Sequence, residues 1–276
     1  MATSVPRMTS PDALVRVATA RGVTTLTLDS PHNRNALSTP LMTELLAGLA
    51  AAVADDAVRA IVLDHTGPVF CSGADLKETA AAYASGTVPA GMLGDVLVAV
   101  RECPKPVLAK VAGPARAGGL GLIAAADLAV CAEEATFAFT EVRIGVIPAV
   151  ISATVLPRLQ PRAAAELYLT GDPFDGRRAA EIGLVTAAVP ADGLDAAVAS
   201  YCASLVKGAP KALAGTKELL RRPAATDLRA EIADLATRST GYFLSEEGRE
   251  GVLAFREKRP ARWVPAPDGG PEEGAS

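Results

Sequence analysis

The chain has 276 residues, a formal net charge of −4 and a mean hydropathy of +0.26, with 50% hydrophobic but only 4% aromatic residues. That length buries a sizeable core, and the longest strongly apolar stretch without charge, Ile144–Pro157, has 14 residues and two prolines, short of the roughly 20 a membrane span needs. No run of Lys or Arg is long enough to track a phosphate backbone and Met1–Pro11 lacks the apolar centre of a secretion signal, so the expectation is a cytoplasmic protein that binds neither nucleic acid nor membrane.

Residues 1–11 are expected to be disordered. Leu14–Thr19 and Val23–Leu28 read as a hairpin around Arg21-Gly22. A helix follows, with Thr39 as its cap, Pro40 in the first turn, and Leu41, Leu45, Leu49 and Val53 on one face. Ala60–Asp64, Pro106–Val111 and Leu128–Cys131 are short apolar runs of the kind buried on both faces of a parallel sheet. Alanine-rich helical stretches lie between them, which defines an α/β layered core over residues 12–192.

Beyond about residue 160 the pattern turns helical, with segments at 162–169, 177–182, 194–206, 210–220, 228–244 and 246–258. Leu194, Val198, Tyr201, Cys202 and Leu205 form one helical stripe, and Ser245 with Glu246 and Glu247 makes a helix start. Residues 193–265 are thus a helical region whose apolar faces need a partner. Residues 266–276, rich in Pro, Gly and acid, are expected to be a loose tail.

Cys71, Cys103, Cys131 and Cys202 lie far apart and read as buried, reduced thiols. With only His32 and His65 in the chain, zinc hydrolysis and a serine–histidine triad are excluded. Three other segments carry the chemistry: 70–77 (FCSGADLK), 111–122 (VAGPARAGGLGL) and 139–148 (FTEVRIGVIP). The first two directly follow predicted strands, and ligands collect at the carboxyl ends of strands in open α/β sheets. The second leads into a helix near Gly118, whose first N–H groups are unpaired. Its glycines match neither a P-loop nor a dinucleotide fingerprint.

Together these segments resemble the crotonase superfamily, the enoyl-CoA hydratase/isomerase family. The resemblance runs from Asn35-Ala-Leu37 through Ser72–Leu76, Ala117-Gly-Gly119, Asp127, Glu141–Pro148, Leu169-Thr-Gly171 and Ala179–Val185 to Glu250–Lys258. It implies a crotonase-like spiral of ββα units with a C-terminal helical region that packs between subunits, as a homotrimer or a dimer of trimers. It also implies acyl-CoA thioester substrates in fatty acid metabolism, with coenzyme A part of the substrate and no other cofactor or metal. The backbone N–H groups of Ala74 and Gly118 are then the oxyanion-hole donors, each worth roughly 3–4 kcal/mol to an enolate-like transition state. Ser72, Asp75 and Leu76 line the adenine pocket, Lys77 and Lys258 meet CoA phosphates, and Phe255 covers the adenine ring.

Hydratases of the family carry two glutamates 20 residues apart. Glu141 matches the second, whereas Gly121 stands where the first belongs, and Asp127 reads as a structural residue at a helix-to-strand turn. Two carboxylates share water addition comfortably, while one suits proton transfer between α- and γ-carbons. The sequence around Gly118–Ile123 and Ile147–Ser152 nevertheless resembles the hydratase branch. The expectation is an enoyl-CoA hydratase, a lyase. A 3,2-enoyl-CoA isomerase and a non-catalytic acyl-CoA-binding relative remain as alternatives. Arg116 is a candidate to hold a carboxylate on the acyl group.

Overall fold

The computed structural model describes residues 13–75, 77–80, 90–223 and 226–266. The disorder expected at 1–11, the tail beyond Ala266 and Leu76 lie outside the described residues. The strands, in chain order, are β1 (Val15–Ala20), β2 (Val23–Leu28), β3 (Ala60–His65), β4 (Val107–Val111), β5 (Ala115–Arg116), β6 (Leu128–Ala132), β7 (Thr136–Ala138), β8 (Phe174–Asp175) and β9 (Ala187–Val189). The helices are α1 (Thr39–Ala54), α2 (Ala90–Glu102), α3 (Gly118–Ala125), α4 (Ala149–Val155), α5 (Pro161–Thr170), α6 (Gly176–Glu181), α7 (Leu194–Leu205), α8 (Pro210–Leu220), α9 (Leu228–Leu244) and α10 (Glu246–Glu257).

A six-stranded sheet runs β1-β2-β3-β4-β6-β9 and a smaller one β5-β7-β8. In the larger sheet only the β1–β2 hairpin is antiparallel. Its turn places Arg21 (φ 51°) and Gly22 (φ 76°) in the left-handed region, as the twist of a two-residue hairpin favours. Ala60–Leu63 are buried on both faces of the sheet, as a parallel strand covered from both sides must be. On one face Ile61, Leu63, Val107 and Ala109 pack with Leu41, Leu45 and Leu49 of α1 and Val96 of α2. On the other, Val62, Leu108 and Val130 meet Leu194, Val198 and Cys202 of α7.

Two local expectations change or sharpen. Ser38, not Thr39, caps α1: it is extended and its Oγ accepts from the Leu41 N–H at 3.4 Å. Thr39 is already helical, and its N–H and hydroxyl both donate to the Glu78 carboxylate at 2.9 Å. Asp127 accepts from the Val107 N–H at 2.7 Å and pairs with the buried Lys217 of α8, which also donates to the Lys105 carbonyl at 2.9 Å. That pair fastens the helical region to the strand ends. All four cysteines are buried and free.

The last two helices are different. No residue of α9 is buried, although it carries Leu228, Ile232, Phe243 and Leu244, and α10 exposes Val252, Leu253 and Phe255. Among the described residues no helix is long and apolar enough to cross a membrane.

Candidate active site

Three chain segments leave their pairings at the same end of the molecule. Cys71 pairs in parallel with Ala115, and Arg116 pairs in parallel with Ala138. Ala74, Gly118 and Glu141 each lie two or three residues beyond one of these paired positions, so three neighbouring parallel chains deliver them together. Leu37 closes the first loop, pairing with Ala74 and donating its N–H to the Gly73 carbonyl at 2.8 Å.

The backbone is bent to present its N–H groups. Ala117 is held at φ 47°, ψ −116°, a conformation costly for a residue with a Cβ that persists only where its surroundings enforce it. Its N–H donates to the Ala138 carbonyl at 3.4 Å, and its own carbonyl accepts from Leu120 at 2.9 Å. Gly73, at φ 91°, has no room for a side chain: a Cβ there would lie 3.0 Å from the Ala117 Cβ and 3.2 Å from the Arg116 carbonyl oxygen. Among the described residues, neither the Ala74 nor the Gly118 N–H has an acceptor. The Gly118 N–H also sits in the first turn of α3, at its positive dipole end. Beneath this loop the Cys71 thiol is fully buried and pushed up to about 12 by that burial, so it is a packing group and not a nucleophile.

Glu141 lies in a single turn of 3₁₀ helix, Thr140–Ile144, which Gly145 ends in the left-handed conformation. Its side chain is buried, with the residue only 9% exposed, and Oε2 has no hydrogen-bond partner among the described residues. Burial raises its pKa above the usual glutamate value, opposed by its own backbone N–H. A carboxyl shifted that way exchanges protons more readily near neutral pH. Arg143 fixes the turn from behind, donating to the Thr170 carbonyl at 3.2 Å and pairing with Asp172.

Position 121 faces a different surface. A Cβ on Gly121 would lie 2.6 Å from Ile151 Cγ2 and 3.1 Å from Ile151 Cβ, and 3.4 Å from Leu97 Cδ1. The Gly121 carbonyl accepts from the Thr154 hydroxyl at 3.1 Å. Helix α4 is therefore packed directly on α3, and Ile151 occupies the space that a side chain at 121 would need. Beside it, Ser152 Oγ donates to the Pro148 carbonyl at 2.6 Å and lies 3.5 Å from Tyr168 Oη. The Tyr168 ring packs on Phe139, the residue before the Glu141 turn, with centroids 4.5 Å apart. Burial raises the Tyr168 pKa, Ser152 opposes this, and the charge of Glu141 adds to the rise.

The expected CoA residues divide into two groups. Ser72 and Asp75 share the loop of Ala74. Ser72 donates its N–H to the Arg34 carbonyl at 3.1 Å. Asp75 caps a turn by accepting from the N–H groups of Lys77 at 2.8 Å and Glu78 at 3.2 Å, and from the Asn33 amide at 3.2 Å. Its desolvation would raise the pKa, but those donors outweigh it and hold the carboxyl below the usual range. The Lys77 side chain is exposed beside it. Phe255 and Lys258 stand elsewhere, at α10: Phe255 is 85% exposed, and the exposed Lys258 ends the helix in the left-handed conformation.

Arg116 does not face the acyl site as expected. Its guanidinium donates to the Thr136 carbonyl at 2.5 Å, the Thr136 hydroxyl at 3.0 Å and the Ala115 carbonyl at 2.8 Å. It is consumed in tying β5 to β7. Ile151 lies in the Ile147–Ser152 stretch noted in the sequence, but its contact with Gly121 was not foreseen, because nothing in a local string tells which helix an isoleucine will meet.

The fold brings two backbone N–H groups that have no acceptor among the described residues, and one buried carboxyl group, to the ends of neighbouring parallel chains. Residues 18–265 match the enoyl-CoA hydratase/isomerase family model. The chain belongs to that family, within the crotonase superfamily. A Thermus thermophilus relative that carries an enoyl-CoA hydratase name is 37% identical over 246 residues, covering 86% of this chain and 95% of its own. A crystal structure of an enoyl-CoA hydratase from Mycobacterium avium is 46% identical, with a TM-score of 0.70 over 91% of this chain and 99% of that one. Pseudomonas aeruginosa AtuE is 35% identical, with a TM-score of 0.86 and the same coverage.

Proposed function

We propose that this protein is an enoyl-CoA hydratase that adds water across the double bond of a 2-enoyl-CoA thioester. The observation that carries the reading is a buried carboxyl group, Glu141, whose Oε2 has no hydrogen-bond partner among the described residues, delivered to the same strand ends as the Ala74 and Gly118 N–H groups, which have no acceptor among those residues. Desolvating a carboxyl costs free energy that its own backbone N–H only partly offsets, since Oε2 has no partner among the described residues, and this disfavours a purely binding role. In the reaction, a water oxygen bonds to the β-carbon while one of its protons passes to Glu141. The electron pair of the double bond moves onto the thioester oxygen, and the two N–H dipoles stabilise that enolate. Glu141 then returns the proton to the α-carbon, so a single carboxylate serves as base and then as acid.

Ser72, Asp75, Leu76 and Lys77 are assigned to the CoA side of the same loop, with Lys77 and Lys258 toward phosphates and Phe255 toward the adenine. The exposed apolar faces of α9 and α10 support self-association as a homotrimer or a pair of trimers, which would give Phe255 a surface to cover. Sedimentation as a monomer at micromolar concentration would remove that assignment. The lyase is placed in cytoplasmic fatty acid metabolism, with CoA as part of the substrate and no separate cofactor.

The closed space at Gly121 favours one second reading, a 3,2-enoyl-CoA isomerase, since that reaction needs one proton carrier. Initial rates on 2-enoyl- and 3-enoyl-CoA esters decide between them. The hydratase reading expects water addition to exceed double-bond migration, and the reverse order would replace it with the isomerase.

A further inference from the structure

Leu169-Thr-Gly171 is a landmark of the sequence to which the proposed reaction gives no task. In the fold this segment is the end of α5. Thr170 is the last helical residue, and Gly171 stops the helix in the left-handed conformation (φ 64°), its N–H donating to the Leu167 carbonyl at 3.0 Å. The 3₁₀ turn that carries Glu141 stands against this helix end.

Both feet of that turn rest there. Two residues before Glu141, the fully buried Phe139 ring packs on Tyr168 of α5, with centroids 4.5 Å apart. Two residues after Glu141, Arg143 crosses the helix end. Its Nε donates to the Thr170 carbonyl at 3.2 Å, and its Nη2 pairs with Asp172. The Asp172 N–H donates in turn to the Thr170 hydroxyl at 3.2 Å. A cation on the last carbonyls of a helix also meets the negative end of its dipole. Gly171 lies between the two feet: a Cβ there would be 3.1 Å from both the Phe139 carbonyl oxygen and Arg143 Nε. The position therefore needs glycine twice, for its φ and for the clearance that lets the turn sit so close.

These polar contacts do little for the stability of the fold. The Arg143 and Asp172 side chains are 52% and 63% exposed, and ion pairs at such exposure add little. What they fix is the place of the turn. Proton transfer needs its carboxyl within hydrogen-bond reach of the reacting carbon, and a small misplacement slows it steeply. Resting on the reading of Glu141 as the proton carrier, we propose that Arg143, held by Thr170 and Asp172 across Gly171, is a positioning residue for Glu141. It acts through the backbone of the 3₁₀ turn and exchanges no proton itself.

The test uses Arg143→Ala, Arg143→Lys and Asp172→Asn in the full-length protein, with Glu141→Gln as the reference. Two quantities are read for saturated butyryl-CoA: the rate of α-hydrogen exchange in D₂O at saturation, and the Kd. Arg143→Ala should lower the exchange rate by about 10–100-fold, with the Kd within about twofold of wild type. Arg143→Lys should recover part of the rate, since it keeps a cation at the helix end but lacks the planar fork that serves two acceptors. Asp172→Asn should show the same split with a smaller loss. Exchange at the wild-type rate in Arg143→Ala would overturn the proposal. So would an equal loss of rate and affinity, because Arg143 would then only support the fold of the site. A lysine variant no faster than the alanine one would also overturn it, since the hold would not depend on a cation at the helix end. If Glu141→Gln itself exchanges at the wild-type rate, the reading of Glu141 fails whatever Arg143 does. If Glu141→Gln is slow and Arg143→Ala is not, the positioning role alone fails.

Discussion

The two flanks of the candidate site follow opposite rules. On one, Glu141 is a buried acid whose Oε2 has no partner among the described residues, in a 3₁₀ turn that Arg143 and Gly145 hold in place. On the other, Gly121 is pressed against Ile151 so closely that even a methyl group would collide. The first flank bears the cost of a desolvated carboxyl, and the second gains ordinary apolar packing between α3 and α4. The contrast teaches that the absence of a second glutamate is built into the packing of two helices, and restoring it takes more than one substitution.

The largest effect short of losing Glu141 is expected where the flanks share a backbone donor. Gly118→Pro removes an N–H without adding a charge, and turnover should fall by about 10²–10³. Rates on both 2-enoyl and 3-enoyl esters check this, and an unchanged rate would place the oxyanion elsewhere. The glycine flank predicts a second, smaller loss. Gly121→Glu alone should destabilise the fold by about 1–3 kcal/mol through overpacking against Ile151, seen as a lower midpoint in urea, with no gain in hydration. Combined with Ile151→Gly, which vacates that space, the same glutamate should raise hydration above the Ile151→Gly background. No difference between the single and double variants would mean that Ile151 does not control this position.

The smallest effect concerns the loop beneath both flanks. His65 Nε2 accepts the Ala112 N–H at 3.1 Å, on the segment leading to Gly118, so the neutral imidazole is the form that fits. Burial lowers its pKa, opposed chiefly by Asp64. The unfolded chain therefore binds the proton first as pH falls below about 6.5, and stability should decrease from there down to the lower folded-state pKa. Thermal midpoints at pH 8 and pH 5.5 should differ less in His65→Gln than in the wild type.

Much of this was legible in the chain. The stripe of Leu41, Leu45 and Leu49, the β-branched run at Ala60–Leu63 and the Arg21-Gly22 turn are local patterns, and local patterns set where helices and strands lie. Ala74, Gly118 and Glu141 stood out as candidates because their neighbours form ordered strings of known kind. The cap of α1 was missed by one residue because Glu78, 39 positions away, takes the Thr39 hydroxyl. Arg116 was misdirected for a similar reason, since its partner Thr136 is brought to it only by the β5–β7 pairing. Ile151 meets Gly121 through a contact between helices, and such contacts appear only once the helices are packed.

The account stands or falls on Glu141 as the proton carrier at the α-carbon. The direct measurement is α-hydrogen exchange of bound butyryl-CoA in D₂O, followed by NMR for wild type and Glu141→Gln at matched occupancy. An amide keeps the shape of the side chain but carries no exchangeable proton in the catalytic range. The account predicts exchange in the wild type and its loss by at least about 10²-fold in the variant, with acyl-CoA affinity nearly intact. Exchange continuing at the wild-type rate in Glu141→Gln would contradict it.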